Sequence, residues 1–355
     1  DGAAQRTPSG WTAEFRIPYS QLRFSNAESQ TWGIQFMRDI ARRSEKAVWA
    51  PLSREEQGIV SRFGELRGID GLSSPRRLEL LPYTLGRTVR EPGTTENPFY
   101  ESSAREAQIG GDMKYGITGN LTMDLTMNPD FGQVEADPAQ LNLSQFETFL
   151  PEQRPFFLEG ANIYNFRLSQ GDGDGASESL FYSRRIGRAP QGGAGPTAQF
   201  SEMPDLTSIA GAGKVSGKTE SGWSIGTLYA LTKREAADIF TVDGEFTSKV
   251  VEPLSNYGVA RIQRDFREGK TAVGFIGTGT ARDPGDAALL NLRSSAYSGG
   301  FDVRHRFGNN DRYEVSGFLV GTHVRGTQEA IAATQRSPVR YFQRPDADHV
   351  EYDPT

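Results

Sequence analysis

The feature that most constrains this chain is a period-two alternation of apolar and polar residues held over runs of about ten residues. In Tyr297–Phe307, the residues Tyr297, Gly299, Phe301, Val303, His305 and Phe307 fall on one face, and Ser298, Gly300, Asp302, Arg304 and Arg306 on the other. Successive side chains of a strand point to opposite sides, so one face is greasy and the other charged. Leu121, Met123, Leu125 and Met127 opposite Thr122, Asp124 and Thr126 repeat the pattern. So do Trp223, Ile225, Thr227, Tyr229 and Leu231 opposite Ser224, Gly226 and Ala230, with Leu228 intruding on the polar side.

Runs of this kind cover Arg77–Arg90, Gln108–Met127, Ser208–Val215, Trp223–Lys233, Tyr257–Asp265, Thr271–Thr280, Tyr297–Phe307 and Tyr313–Val324. Gly308-Asn309-Asn310-Asp311 and Arg267-Glu268-Gly269-Lys270 read as tight hairpin turns, which make their flanking strands antiparallel. Strands in soluble sandwiches typically run ~5–6 residues, whereas ~9–11 are needed to cross a bilayer at a tilt. The expectation for residues 76–355 is therefore the first portion of an antiparallel outer-membrane-type β-barrel, with a soluble β-sandwich adhesin as the alternative. Aromatic residues near strand ends, such as Tyr297, Phe307 and Tyr313, suit an interfacial girdle.

Composition narrows the classes further. With no cysteine, the chain has no disulfide framework, no zinc-thiolate site and no cysteine nucleophile, a usage that fits exported bacterial proteins. His305, His323 and His349 lie far apart in sequence, which disfavours a histidine metal centre. A net charge of −6 without a long basic block argues against nucleic acid as partner. Mean hydropathy is −0.54, and no segment approaches the ~18 apolar residues of a spanning helix. Barrel strands escape that test, because their lumen-facing residues offset their lipid-facing ones. Forty glycines in 355 residues, about 11% against a usual ~7%, suit tight turns and curved sheets. The start at Asp1 carries no leader, which reads as a fragment or a processed form.

Residues 1–75 have a different texture. Trp11–Pro18, Thr31–Ile40 and Ala47–Leu52 read as short strands, with Trp11, Ala13, Phe15 and Ile17 predicted to share a half-buried face. Gly64–Pro75 reads as the turn-rich link to the second unit. Three strands are few for a sandwich core, so further strands are expected upstream.

Asn128–Gly160 breaks the alternation with Asp130, Glu135, Asp137, Glu147, Glu152 and Glu159, one cation, Arg154, and the cluster Phe146, Phe149, Phe156 and Phe157. A long excursion with its own aromatic cluster is the kind that folds inward as a plug or constriction. Three chemistries are open to its carboxylates: an acid and base pair for glycoside hydrolysis, calcium ligation by Asp130, Glu135 and Asp137, or hydrogen bonding to backbone amides and arginines. Phe181–Arg188, with Arg184, Arg185 and Arg188, is the basic counterpart. The candidate ligand-binding set is thus Asp130, Gln133, Glu135, Asp137, Glu152, Arg154, Arg184, Arg185 and Arg188. Calcium is the one cofactor in view, and no catalytic residue is assigned.

WTAEFRIPYSQLRF, WGIQFMRDI, NPDFGQVEADPAQLNLSQFETFLPEQRPFFLEG, FYSRRIGR and YFQRPDADH together resemble the bacterial family known as domain of unknown function 5916, preceded by the end of a domain similar to family-nine carbohydrate-binding modules. The resemblance implies a carbohydrate-binding-like β-sandwich end over 1–75 and a barrel region over 76–355. It also implies the bacterial outer membrane as location, with lipid and possible carbohydrate as partners and no named protein partner. In that setting Trp11, Trp32 and Trp49 are the candidates for stacking on a sugar ring, with core packing as their alternative role. The expected function is a non-enzymatic barrel for glycan or peptide binding, uptake or export, set against a surface glycan hydrolase using carboxylates of 128–160.

Overall fold

The computed structural model describes residues 1–19, 22, 24, 27–51, 60–72, 77–90, 93, 96–129, 149–166, 168, 179–219, 221–283, 285, 289, 291–337 and 351–353. Six short strands come first: β1 (Gly2–Thr7), β2 (Gly10–Phe15), β3 (Ser29–Ile34), β4 (Met37–Ile40), β5 (Glu45–Val48) and β6 (Gly64–Asp70). They pair as three antiparallel ribbons, β1 with β2, β3 with β6 and β4 with β5.

Two expectations change here. The first half of the supposed link 64–75 is a strand, because Leu66 and Ile69 of β6 find register partners in Trp32 and Gln30. The alternation of Trp11–Pro18 does not bury a face either: Trp11, Phe15 and Ile17 are 56%, 73% and 62% exposed. A two-stranded ribbon supplies no second layer to cover them.

The rest is dominated by long strands: β7 (Leu78–Val89), β8 (Ala104–Gly116), β9 (Leu121–Met127), β10 (Ala198–Glu202), β11 (Ile209–Lys218), β12 (Trp223–Thr232), β13 (Glu235–Thr241), β14 (Phe246–Glu252), β15 (Ser255–Phe266), β16 (Thr271–Arg282), β17 (Ser295–Phe307) and β18 (Tyr313–Arg325). Among the described residues two α-helices accompany them, α1 (Pro155–Leu158) and α2 (Gln328–Arg336). Nine strands form one antiparallel sheet in the order β18-β17-β16-β15-β12-β11-β9-β8-β7, and β10, β13 and β14 form a small second sheet. No pairing joins β7 to β18 among the described residues, so the large sheet is open-edged there. Gln108–Met127, expected as one strand, is two: the amides of Ile117 and Thr118 both donate to the Leu121 carbonyl, at 2.9 and 3.2 Å, and close a hairpin through Gly119-Asn120. Turn chemistry there overrides the continuing apolar alternation.

The connections of the large sheet are of two kinds. At one end the strands are joined by tight turns over 117–120, 219–222, 267–270 and 308–312. At the other end run the long excursions 90–103, 128–208, 233–254 and 283–294. The small sheet is made wholly from two of these excursions, β10 from the second and the β13-β14 hairpin from the third.

Burial in β9 is inverted relative to a soluble sheet. Thr122, Asp124 and Thr126 of β9 are buried, while Leu125 and Met127 on the opposite face are exposed. In β12, Leu228 and Ala230 are buried and Tyr229 is exposed, so the Leu228 that intrudes on the sequence pattern belongs to the covered face. The open face carries the register row Ile225, Ile262, Phe275, Phe301 and Leu319 across five consecutive strands. Phe301 and Leu319 there are among the exposed large hydrophobic residues.

Candidate functional site

The covered face is occupied by described parts of the excursion between β9 and β11. Phe157, Tyr164, Phe166 and Ile186 from this segment form one core with Ile209, Leu228, Ala230, Tyr257, Val259 and Ile276 of the sheet. Small residues on the wall make room for it. A Cβ on Gly226 would stand 2.8 Å from Ile163 and 2.9 Å from Tyr164, and one on Gly300 would stand 2.7 Å from Phe166. The segment thus seats in grooves where side chains are missing, and Tyr164 donates its hydroxyl to the Thr227 carbonyl at 2.9 Å.

Two polar clusters pin this segment. The first lies on the register row Glu79, Lys114, Asp124, Lys214 and Leu228 of the wall. The Lys214 side chain is 1% exposed; its Nζ stands 3.8 Å from Asp124 and donates to the carbonyls of Phe156 and, at 2.7 Å, Glu159. Lys114 bridges the same Asp124, at 3.9 Å, to the Glu159 carboxylate at 2.5 Å. A buried cation survives only with such partners, since leaving it unpaired costs several kcal/mol.

The second cluster is internal to the segment. Glu152 accepts from Arg154 Nε at 2.8 Å and Nη2 at 2.7 Å, from the Arg154 amide at 3.0 Å, and from Ser183 Oγ at 2.5 Å. The same guanidinium donates to the carbonyls of Ile186 at 2.7 Å and Ser183 at 2.9 Å, and sits 4.2 Å above the Phe157 ring. Burial raises the Glu152 carboxyl pKa, but the Arg154 hydrogen bond and charge, with the Ser183 and backbone bonds, outweigh it and hold the group below its ordinary range. Arg184 donates to the Pro151 carbonyl at 2.7 Å. Residues 149–154 of the acidic excursion and the FYSRRIGR run are therefore folded against each other.

Arg188 lies deeper. Its backbone carbonyl accepts from Thr207 Oγ1 at 2.7 Å, and burial together with the nearby Arg282 and Arg185 lowers its side-chain pKa. Elsewhere on the covered face, Arg261, 2% exposed, forms a two-pronged pair with Asp302 and bonds Gln263 at 3.0 Å. A cavity of about 340 Å³ lies between segment and wall, lined by Glu152, Phe157, Asn162, Asn165, Phe181, Tyr182, Ser183 and Lys214 among others.

Of the sequence-nominated residues, Glu152 and Arg154 meet directly, and Arg184 reaches the turn beside them. Asp130, Gln133, Glu135 and Asp137 lie outside the described residues, and with them the calcium reading. Among the described residues no group of three or more potential metal ligands assembles. The tryptophans do not share a site. Trp32 packs against Phe24 at 5.4 Å and Tyr19 at 5.7 Å, Trp49 lies over Gly64 and edge-on to Phe36 at 5.9 Å, and Trp11 is exposed beneath Arg38 at 5.3 Å. Sequence reading missed Lys114, Lys214 and Arg261. Their signal was a charge on the polar side of an alternating strand, which nominates a face without naming its partner.

Fold and site together define an antiparallel β-meander with one face, carrying both buried charges and an apolar core, covered by described parts of its own excursion, and with large apolar residues exposed on the other. Residues 74–330 match the family model described as domain of unknown function 5916, and the chain belongs to that family. No curated protein and no solved structure shows significant similarity to it.

Proposed function

We propose that the nine-stranded sheet is wall of a bacterial outer-membrane β-barrel, with its open face against lipid and residues 149–166 and 179–192 as a plug on the lumen side. The observation that carries this reading is the inverted burial: Asp124, Lys214 and Arg261 are covered while Leu125, Phe301 and Leu319 are exposed. An exposed apolar face of this extent is costly in water and favourable in hydrocarbon. The aromatic residues fit. Trp223, Phe266, Phe307 and Tyr313 sit at the tight-turn end, with Arg264 over the Trp223 and Phe266 rings at 5.1 and 4.9 Å. Tyr229 and Tyr297 lie towards the other end. From Phe307 to Tyr297 is roughly 33 Å at ~3.3 Å per residue, which a strand tilt of ~40° turns into about 25 Å of height, the belt of an outer-membrane barrel. The absence of a long apolar helix among the described residues says nothing against strands crossing.

The barrel binds and passes a polar solute, glycan or peptide, by displacement of the plug, and Trp11 and Trp49 of the first unit are the exposed candidates for stacking on sugar rings. Of the described carboxylates of 128–160, neither suits hydrolysis: a general acid must hold its proton, whereas Glu152 is kept ionised by Arg154 and Glu159 is paired with Lys114. Membrane fractionation of the full-length protein with and without boiling before a detergent gel tests the barrel. Retention in outer membranes with a heat-dependent mobility shift is the expected result, and a soluble protein of fixed mobility refutes it.

A further inference from the structure

Resting on the barrel reading, the structure also gives a direction: we infer that residues 1–72 lie in the periplasm and that the plug and the small sheet open to the cell exterior. Outer-membrane barrels carry short turns on the periplasmic side and long loops outside. The two ends of this sheet differ in that way without exception among the described strands, with 117–120, 219–222, 267–270 and 308–312 at one end and 90–103, 128–208, 233–254 and 283–294 at the other.

The first barrel strand fixes where the amino-terminal unit hangs. Leu78, at the start of β7, pairs with Tyr115 beside the 117–120 turn, whereas Val89, at its end, pairs with Ala104 beyond the long excursion. The chain therefore enters the sheet at the tight-turn end. Between Asp70, the last residue of β6, and Leu78 lie eight chain steps, which reach at most about 28 Å when fully extended. That is short of the ~40 Å across a bilayer with its headgroups. The ribbons β1 to β6 cannot cross to the loop side, so any ligand of Trp11 or Trp49 is a periplasmic one, met after passage or before export. On the opposite side, the β13-β14 hairpin presents Asp243 in an exposed tip.

These 355 residues contain no cysteine, so single thiols introduced among them report without background once any cysteine elsewhere in the full-length protein is replaced by serine. In the full-length protein, S9C in the β1-β2 turn, S221C in a tight turn and D243C in the hairpin tip are each treated with a maleimide too bulky to cross the outer membrane. Labelling of D243C on intact cells, with S9C and S221C labelled only after the outer membrane is permeabilised, is expected. Labelling of S9C or S221C on intact cells with D243C protected overturns the direction while leaving the barrel in place. Recovery of all three labelled in the soluble fraction overturns the barrel itself.

Discussion

Lys214→Met removes the charge at the centre of the plug contact with little change in volume. The wild-type ammonium satisfies two plug carbonyls and half-neutralises Asp124, whose own side chain is 8% exposed. Leaving a buried charge without its partner costs ~3–5 kcal/mol in general. Lys114, 3.9 Å from the same carboxylate, remains and softens the loss. The expected cost is about 3 kcal/mol of plug attachment, roughly a hundred-fold more opening. Asp124→Leu alone leaves Lys214 with its two carbonyls but no counter-charge, and the double variant should recover ~1–2 kcal/mol relative to the sum of the singles. Hydrogen exchange of the amides between Phe157 and Tyr164, in detergent or vesicles, reads the opening free energy directly. Protection within threefold of wild type in Lys214→Met, or strict additivity in the double variant, refutes the pinning role.

Three further outcomes are expected. Leu319→Arg on the open face should hinder insertion by ~2–4 kcal/mol near mid-bilayer, whereas Thr322→Arg, exposed on the opposite face of the same strand, should be nearly silent in a vesicle-folding titration; equal effects would remove the case for a lipid face. Gly226→Leu drives a side chain into Ile163 and Tyr164, so the 149–166 segment should become protease-sensitive while the sheet stays intact; an unchanged cleavage pattern counts against the seating described. Glu152 has a folded pKa below its unfolded value near 4.5, so its contribution is fully present above that value and is lost as pH falls through the lowered folded one. Plug protection should hold from pH 7 to 5 and drop in more acid solution, and Glu152→Gln should flatten that dependence; a variant as acid-sensitive as wild type would assign the effect elsewhere.

Period-two alternation in Tyr297–Phe307 and Leu121–Met127 was enough to give strands and their two faces, because strand geometry fixes that relation locally. The hairpins at 267–270 and 308–312 were equally legible, since turn chemistry is local too. The alternation could not tell which face is covered. Leu228 departs from the alternation because its side of the sheet shares a core with Phe157, Tyr164 and Phe166. For Trp11 the same local signal misled, because burial needs a second layer that a ribbon does not provide.

The site divides along the same line. Charge and aromatic content nominated Glu152, Arg154 and Arg184 within one acidic and one basic run, and those runs meet. Lys114, Asp124 and Lys214 come from three strands, and only register sets them side by side across the sheet. By itself, then, the sequence determined the all-β class, the strand faces and the tight turns, each a matter of neighbours a few residues apart. The tertiary structure alone decided that the polar face is covered by an excursion over a hundred residues removed from parts of the wall it seals, since that pairing depends on contacts no local period encodes.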